Sequence, residues 1–174
     1  DVLASSSPPA VALPPEGVPI MIYTSGTTGR PKGALRRGNG DPRQREAMMR
    51  TIGFARGDVY ITTGPLYHSG PNNFAMIHMG LGNTVIVQRH FDAEDWLRLF
   101  DRHRVTSTFS APTPMRRILD LPADVRRRYD VSSMRIMLAN AAPWPFALKR
   151  RYLEYFPALS LWEGYGATEI GITT

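Results

Sequence analysis

The residues best suited to binding phosphate lie between positions 23 and 33, in the segment YTSGTTGRPKG. Glycine brings backbone N–H groups close to an anion, hydroxyls add further donors, and a lysine adds a positive charge. This combination predicts a loop that holds a polyphosphate. The candidate ligands are Thr24, Ser25, Gly26, Thr27, Thr28, Gly29, Lys32 and Gly33.

The spacing of this segment excludes two common phosphate loops. A Walker A loop has glycine immediately before its lysine, but Pro31 occupies that position here. A dinucleotide-binding fingerprint needs G-x-G-x-x-G at the start of a helix, and the chain has no such run. A flexible glycine and threonine turn without a ligand is the simpler alternative.

A second candidate segment, EGYGATE, occupies residues 163–169 directly after an apolar run. It combines a flat aromatic ring, two glycines, a hydroxyl and a carboxylate. These groups could stack on a nucleotide base, hydrogen-bond a phosphate and coordinate Mg²⁺. An ordinary turn after a strand would have a similar composition.

Together the two segments resemble the signatures of the adenylate-forming enzymes, which include acyl-CoA and aryl-CoA synthetases, luciferases and peptide-synthetase adenylation domains. Residues 24–33 match their phosphate loop, [ST]-[SG]-G-[ST]-T-G-x-P-K-G, at every fixed position. Residues 165–169 match their [YF]-G-x-T-E signature. The resemblance implies that Tyr165 packs on adenine, Thr168 contacts the α-phosphate and Glu169 holds Mg²⁺. It also implies catalytic roles for Thr168, Glu169 and Lys32.

The segment ANAAPW at residues 139–144 is similar to the family's S-G-A-A-P-L segment beside adenine and the acyl group. Asn140 stands where glycine is usual, and Trp144 stands where leucine is usual. The Asn140 side chain is therefore expected to project toward adenine or substrate. The implied adenine-binding residues are Asn140, Ala141, Ala142, Pro143, Glu163, Gly164 and Tyr165.

The segment PLYHSG at residues 65–70 resembles the P-[LM]-[FY]-H segment of acyl-CoA and aryl-CoA synthetases. Peptide-synthetase adenylation domains carry a phenylalanine-aspartate segment here, so His68 argues against an amino-acid substrate. The resemblance assigns His68, Asn140 and Gly166 to the acyl and carboxylate pocket. A hydrogen-bonded structural histidine is the alternative for His68.

The implied reaction is activation of a fatty or aromatic carboxylic acid by ATP and Mg²⁺, giving an acyl-adenylate and pyrophosphate, followed by transfer to coenzyme A. The chain is thus expected to come from an AMP-forming carboxylate–CoA ligase. One alternative is an acyl-AMP ligase that loads a carrier protein. Another is a nucleotide- or phosphate-binding module without catalysis.

The resemblance places several parts of such an enzyme after the second signature: a ribose-binding aspartate, a hinge, and a small C-terminal lid domain with the adenylation lysine. The chain ends five residues after Glu169, and its two lysines, Lys32 and Lys149, match neither position. We therefore expect a fragment of the large N-terminal domain that lacks the lid domain. Such a fragment alone should be largely inactive.

Composition narrows the remaining classes of protein. Zero cysteines exclude a disulfide scaffold, a thiolate zinc site and a cysteine nucleophile. The net charge of +6 is carried almost wholly by scattered arginines without interleaved aromatic residues, which argues against nucleic acid as a partner. No apolar run is long enough to span a bilayer and no signal peptide is evident, so a cytoplasmic location is expected. The oligomeric state is not predictable from these features.

The elements that must position these segments alternate along the chain. Strands are predicted at residues 20–23, 59–62, 84–87, 107–109, 135–138 and 160–163. Helices are predicted at residues 42–54, 73–81, 93–104, 113–121 and 145–156, with Asp92 as the N-cap of the third. This alternation predicts an α/β fold with a mainly parallel sheet and crossover helices, as in the large N-terminal domain of acyl-CoA synthetases. Residues 1–17 are predicted to be a Pro/Ser-rich connector, and residues 18–174 a partial AMP-binding domain.

Overall fold

The computed structural model describes residues 19–24, 29–36, 42–167 and 171–173, and the chain divides into two compact units at residues 1–45 and 46–174. In the first unit, strands β1 (Ile20–Thr24) and β2 (Lys32–Arg36) pair in antiparallel fashion. The strand predicted at residues 20–23 is confirmed, whereas β2 was not predicted. The predicted connector at residues 1–17 lies outside the described residues.

The second unit is built on a five-stranded parallel sheet with the strand order β4-β3-β5-β6-β7. Its strands are β3 (Val59–Thr62), β4 (Thr84–Ile86), β5 (Ser107–Ser110), β6 (Ile136–Ala139) and β7 (Ser160–Glu163). The helices are α1 (Pro42–Ile52), α2 (Ser69–Gly80), α3 (Ala93–His103), α4 (Pro112–Leu119), α5 (Ala123–Arg126) and α6 (Phe146–Tyr155). A hairpin of β8 (Tyr165–Ala167) and β9 (Gly171–Thr173) follows β7. The predicted parallel α/β arrangement is confirmed.

The sheet is covered on both faces, as parallel sheets generally are. Successive residues of β3 face opposite sides: Tyr60 belongs to one hydrophobic cluster and Ile61 to the other. The cluster around Tyr60 includes Phe74 of α2, whereas the cluster around Ile61 includes Trp96 of α3 and Tyr152 of α6. The core therefore has two apolar layers, one on each face of the sheet.

The strand order reverses direction between β3 and β5. The chain leaves β3 through α2 on one face and leaves β5 through α4 on the other, because α2 and α4 contribute to different clusters. In open α/β sheets, ligands bind beyond the carboxyl ends of the strands at such a reversal. The loops that follow β3 and β5 are thus well placed to line a binding crevice.

Helix starts determine where those loops end. Asp92 caps α3, since its carboxylate accepts a hydrogen bond from the Asp95 N–H at 2.8 Å, as predicted. Helix α2 begins at Ser69, four residues before the predicted start, even though Gly70 and Pro71 suggest a loop. Proline is tolerated in the first turn because N–H groups there have no partner within the helix.

Candidate functional site

The β1–β2 hairpin holds the described part of the predicted phosphate loop. Thr24 and Lys32 are directly opposite in the antiparallel register, so their side chains project from the same face. Gly29 has a φ of 76°, in the left-handed region that favours glycine. A Cβ on Gly33 would lie 2.9 Å from the sulfur of the exposed Met21 side chain, which would have to shift to make room for it. The hairpin thus brings a hydroxyl and an exposed ammonium to the two ends of one connection.

Ser25, Gly26, Thr27 and Thr28 lie outside the described residues, as do Thr168 and Glu169. Their predicted contacts with phosphate and Mg²⁺ therefore stay predictions. Within the described parts of the chain, no group of three or more histidine, cysteine, aspartate or glutamate side chains could hold a metal ion. A Mg²⁺ site at Glu169 remains a proposal that rests on the sequence.

The other predicted segments lie at the carboxyl edge of the parallel sheet. His68 lies in the loop after β3, residues 140–143 follow β6, and Glu163 ends β7. Only β5 separates β3 from β6, and neighbouring strands are about 4.8 Å apart, so these two strand ends are roughly 10 Å apart. The sheet thereby places the predicted acyl and adenine segments on one edge.

His68 is the N-cap of α2 and is exposed. Its Nδ1 accepts a hydrogen bond from the Gly70 N–H at 3.3 Å, so a neutral ring carries its proton on Nε2. The surrounding loop is also constrained, because the Asn72 side chain donates to the Leu66 carbonyl at 2.9 Å. The ring is held through Nδ1 while Nε2–H is available as a donor to an oxygen.

The loop after β6 begins with Asn140, whose side-chain amide makes two backbone hydrogen bonds. Nδ2 donates to the Gly164 carbonyl at 2.8 Å, and Oδ1 accepts from the Ala141 N–H. The side chain thus bridges two loops, and its predicted contact with adenine or substrate stays a prediction. Trp144 does not line the surface either: it is 5% exposed and packs edge-on against Tyr152 in the core.

The loop after β7 is held by β6 and α6. The Gly164 N–H donates to the Ala139 carbonyl at 2.9 Å. Lys149 of α6 forms an ion pair of 2.6 Å with Glu163. Tyr165 follows directly and is 79% exposed, so its ring is accessible to a planar ligand. From the sequence, Lys149 is predicted only as a residue of the helix at 145–156. Its pairing with Glu163 has no signal in the sequence, because the two residues are fourteen positions apart.

Gly166 lies in the middle of β8, where it is opposite Ile172 of β9. The last pair in this register, Ala167 with Gly171, brackets residues 168–170. The described part of the second signature, residues 165–167, is therefore the strand β8. The hairpin fixes where the chain enters and leaves the stretch that contains Thr168 and Glu169.

Two buried groups with shifted pKa values, Asp58 and His78, lie at the opposite, amino edge of the sheet. Burial raises the pKa of Asp58, but hydrogen bonds from the Ala55 N–H, Arg135 and Thr106 outweigh it and hold the pKa below its usual value. Burial lowers the pKa of His78 to about 4. Perturbed groups can mark active sites, but these are satisfied by structural partners.

A small cavity of about 140 Å³ lies where β3 and β4 end. The cavity is lined by Thr62, Thr63, Gly64, Pro65, Gln88, Arg89 and Phe91. Ligand pockets for small molecules are generally at least twice this size, so a nucleotide does not fit inside the cavity.

Among the described residues, no helix is long and apolar enough to cross a membrane.

Comparison with known sequences agrees with this arrangement. The model of the AMP-binding enzyme family matches residues 2–174. 4-Coumarate-CoA ligase 1 of Narcissus pseudonarcissus is 30% identical over 94% of this chain and 30% of its own length. The feruloyl-CoA synthase of an Amycolatopsis species is 34% identical over 95% of this chain and 33% of its own length. The chain thus spans about a third of the length of these curated relatives.

Solved structures agree as well. The inhibitor-bound N-terminal domain of FACL13 from Mycobacterium tuberculosis superposes with a TM-score of 0.79 and 25% identity, covering 96% of this chain and 42% of that one. The amide bond synthetase McbA from Marinactinospora thermotolerans gives a TM-score of 0.78 with 27% identity, covering 98% of this chain and 34% of that one. These similarities confirm the predicted acyl-CoA synthetase-like fold.

Proposed function

Because this chain belongs to the AMP-binding enzyme family, we propose that its full-length protein activates a carboxylic acid with ATP and transfers the acyl group to coenzyme A. The observation that carries the proposal is that His68, the loop after β6 and the loop after β7 all follow strand ends at the same edge of the parallel sheet. The named CoA ligases among its relatives support the choice of acceptor.

The reaction has two steps. A carboxylate oxygen attacks the α-phosphorus of ATP, and the bond to the β-phosphate oxygen breaks to release pyrophosphate. The coenzyme A sulfur then attacks the acyl carbon, and the carbon–oxygen bond to AMP breaks while the thiol gives up its proton. Both steps develop charge on oxygen, so positioned donors accelerate them without a covalent protein nucleophile.

We assign the residues by the chemistry they present. Lys32 and the hydroxyls of its loop would bind the β- and γ-phosphates, and the exposed ring of Tyr165 would stack on adenine. The Nε2–H of His68 would donate to the carboxylate of the acid. Thr168 would contact the α-phosphate, and Glu169 would ligate Mg²⁺, which neutralises phosphate charge when bound.

The substrate is proposed to be a fatty or aromatic carboxylic acid. The names of the relatives, 4-coumarate-CoA ligase and feruloyl-CoA synthase, make hydroxycinnamic acids the first group to test. Fatty acids form the second group because the segment around His68 also resembles that of acyl-CoA synthetases.

The test is acid-dependent exchange of pyrophosphate into ATP by the full-length protein, followed by detection of acyl-CoA. Lys32→Ala should lower exchange about 10- to 150-fold, since a hydrogen bond from a charged group contributes roughly 1.5 to 3 kcal/mol. Arg30→Ala is the matched control, because Arg30 is an exposed cation in the same connection at a position where the family motif accepts any residue.

Lack of exchange with every hydroxycinnamic and fatty acid would contradict the ligase proposal and favour a nucleotide-binding module. Exchange accompanied by an acylated carrier protein, but no acyl-CoA, would change the acceptor. Exchange accompanied by amide formation from an added amine would make an amine the acceptor. The similarity to an amide bond synthetase suggests this alternative.

A further inference from the structure

The two loops beyond β6 and β7 are joined by a side chain that the family pattern does not contain. Gly164 has both of its backbone groups bound from the β6 side: its N–H donates to the Ala139 carbonyl at 2.9 Å, and its carbonyl accepts from Asn140 Nδ2 at 2.8 Å. Gly164 immediately precedes Tyr165. The Asn140 amide thereby fixes the backbone from which the Tyr165 ring projects.

The same amide also acts on its own loop. Its Oδ1 accepts a hydrogen bond from the N–H of Ala141, whose φ of 73° is in the left-handed region that is unfavourable for a residue with a Cβ. Such a conformation persists only when its surroundings hold it in place. The Asn140 side chain is one of the groups that hold it.

The orientation of the amide is determined by its partners. A carbonyl oxygen can only accept, so the group facing Gly164 must be the NH₂. A backbone N–H can only donate, so the group facing Ala141 must be the oxygen. Glycine, which the family pattern has at this position, could make neither bond.

We propose that Asn140 is a positioning residue that preorganises the adenine side of the site by joining the two loops. This inference rests on the proposed function, in which residues 140–143 and Tyr165 bind the adenine nucleotide. Because the amide restricts both loops before the ligand arrives, less ordering is needed on binding. The expected signature is tighter nucleotide binding rather than a faster chemical step.

The test uses the full-length protein, with AMP as the probe for calorimetric titration and ATP as the varied substrate in the kinetic assay. Asn140→Gly removes both hydrogen bonds. Asn140→Asp retains an acceptor for Ala141 but cannot donate to Gly164, so it isolates the bond between the loops. Each should raise the Kd for AMP and the KM for ATP at least fivefold while kcat changes less than twofold, because adenine binding is lost equally in the ground and transition states.

Asn83 provides a matched control at the opposite edge of the sheet. Its amide also joins two backbone groups, donating to the Ala55 carbonyl at 2.9 Å and accepting from the Gly57 N–H at 2.9 Å. Asn83→Asp should lower the melting temperature as Asn140→Asp does, but leave the Kd for AMP within twofold of the wild-type value.

An unchanged Kd for AMP in both Asn140 variants would overturn the inference, as would an equal rise in Asn83→Asp. If Asn140→Gly does not fold, Asn140→Asp carries the test alone, since it keeps the bond that supports the Ala141 turn. If the wild-type protein bound no AMP, the proposed function would fail, and this inference with it. If the wild-type protein bound AMP and the Asn140 variants bound it with the same Kd, only the positioning role would be rejected.

Discussion

Acidification should destabilise this protein through His78, which is completely buried. Its ring stacks on Tyr60 at a centroid distance of 4.7 Å. Its Nδ1 lies 3.0 Å from the Asn83 Nδ2, which is always a donor, so Nδ1 must be the acceptor. The proton of the neutral ring is therefore on Nε2, which lies 3.3 Å from the Ser107 hydroxyl. An added proton on Nδ1 would break the bond to Asn83 and place a charge in the apolar layer.

The size of the effect follows from the pKa. Burial lowers the pKa of His78 from 6.5 to about 4, although the nearby Asp58 carboxylate opposes the shift. Between these two values the unfolded chain binds a proton that the folded chain does not, so stability falls as the pH falls through this window. Linkage gives a loss of about 2 kcal/mol between pH 7.5 and pH 5, and a limit of roughly 3.4 kcal/mol below pH 4.

The measurement is urea unfolding at pH 7.5, 6 and 5 for the wild-type protein, His78→Gln and the exposed-site control His90→Gln. His78→Gln removes the titrating group, so its unfolding free energy should fall by about 2 kcal/mol less than that of the wild type over this range. His90→Gln should follow the wild type. If the wild type and His78→Gln lost stability in parallel, burial of a neutral His78 would not be the cause, and the reasoning would be refuted.

Two further substitutions test the packing and charge around the sheet. Gly70→Ala would place a Cβ 2.4 Å from Cζ of the buried Phe109 ring. Thermal denaturation should therefore show a free energy of unfolding that is lower by about 1–3 kcal/mol. The control is Gly80→Ala in the same helix, where a Cβ would have nothing within 4 Å and no such loss is expected. Arg135→Met removes a donor from the buried Asp58 carboxylate and should cost about 1–2 kcal/mol in urea unfolding, a value reduced because Arg135 is half exposed. A cost below 0.3 kcal/mol would mean that the Ala55 and Thr106 bonds alone suffice for Asp58.

The parallel sheet was predictable because local sequence patterns indicate its strands. The predicted boundaries at residues 59–62 and 160–163 coincide with β3 and β7, and the others shift by one residue at most. β3 and β6 are largely buried and read VYIT and IMLA, so their apolar residues run consecutively and stand out from the polar loops. β5 is equally buried but reads STFS, so its position follows from the alternation of the elements around it. The alternation of such runs with amphipathic segments was enough to indicate the crossover helices.

The strands β2, β8 and β9 were missed for a common reason. Each carries glycine and lacks an apolar run: β2 reads KGALR, β8 reads YGA and β9 reads GIT. Their extended conformation comes from pairing with a neighbouring strand rather than from side-chain preference, and pairing is a non-local property. The bonds of Asn140 to Gly164 and of Lys149 to Glu163 were unpredictable for the same reason, since they join residues 24 and 14 positions apart.

The two edges of the parallel sheet differ in which side chains they expose, and this difference supports the assignment of the site. At the amino edge, the Asp58 carboxylate is bound by the Ala55 N–H, Thr106 and Arg135, so its hydrogen-bonding capacity is used within the protein. At the carboxyl edge, the described loops instead leave the Tyr165 ring and the His68 imidazole exposed on constrained backbone. Rigid support beneath accessible side chains is what ligand binding requires, because the ordering cost is met during folding. A ligand that protected the Asp58 edge from hydrogen exchange more than the Asn140 edge would contradict this division.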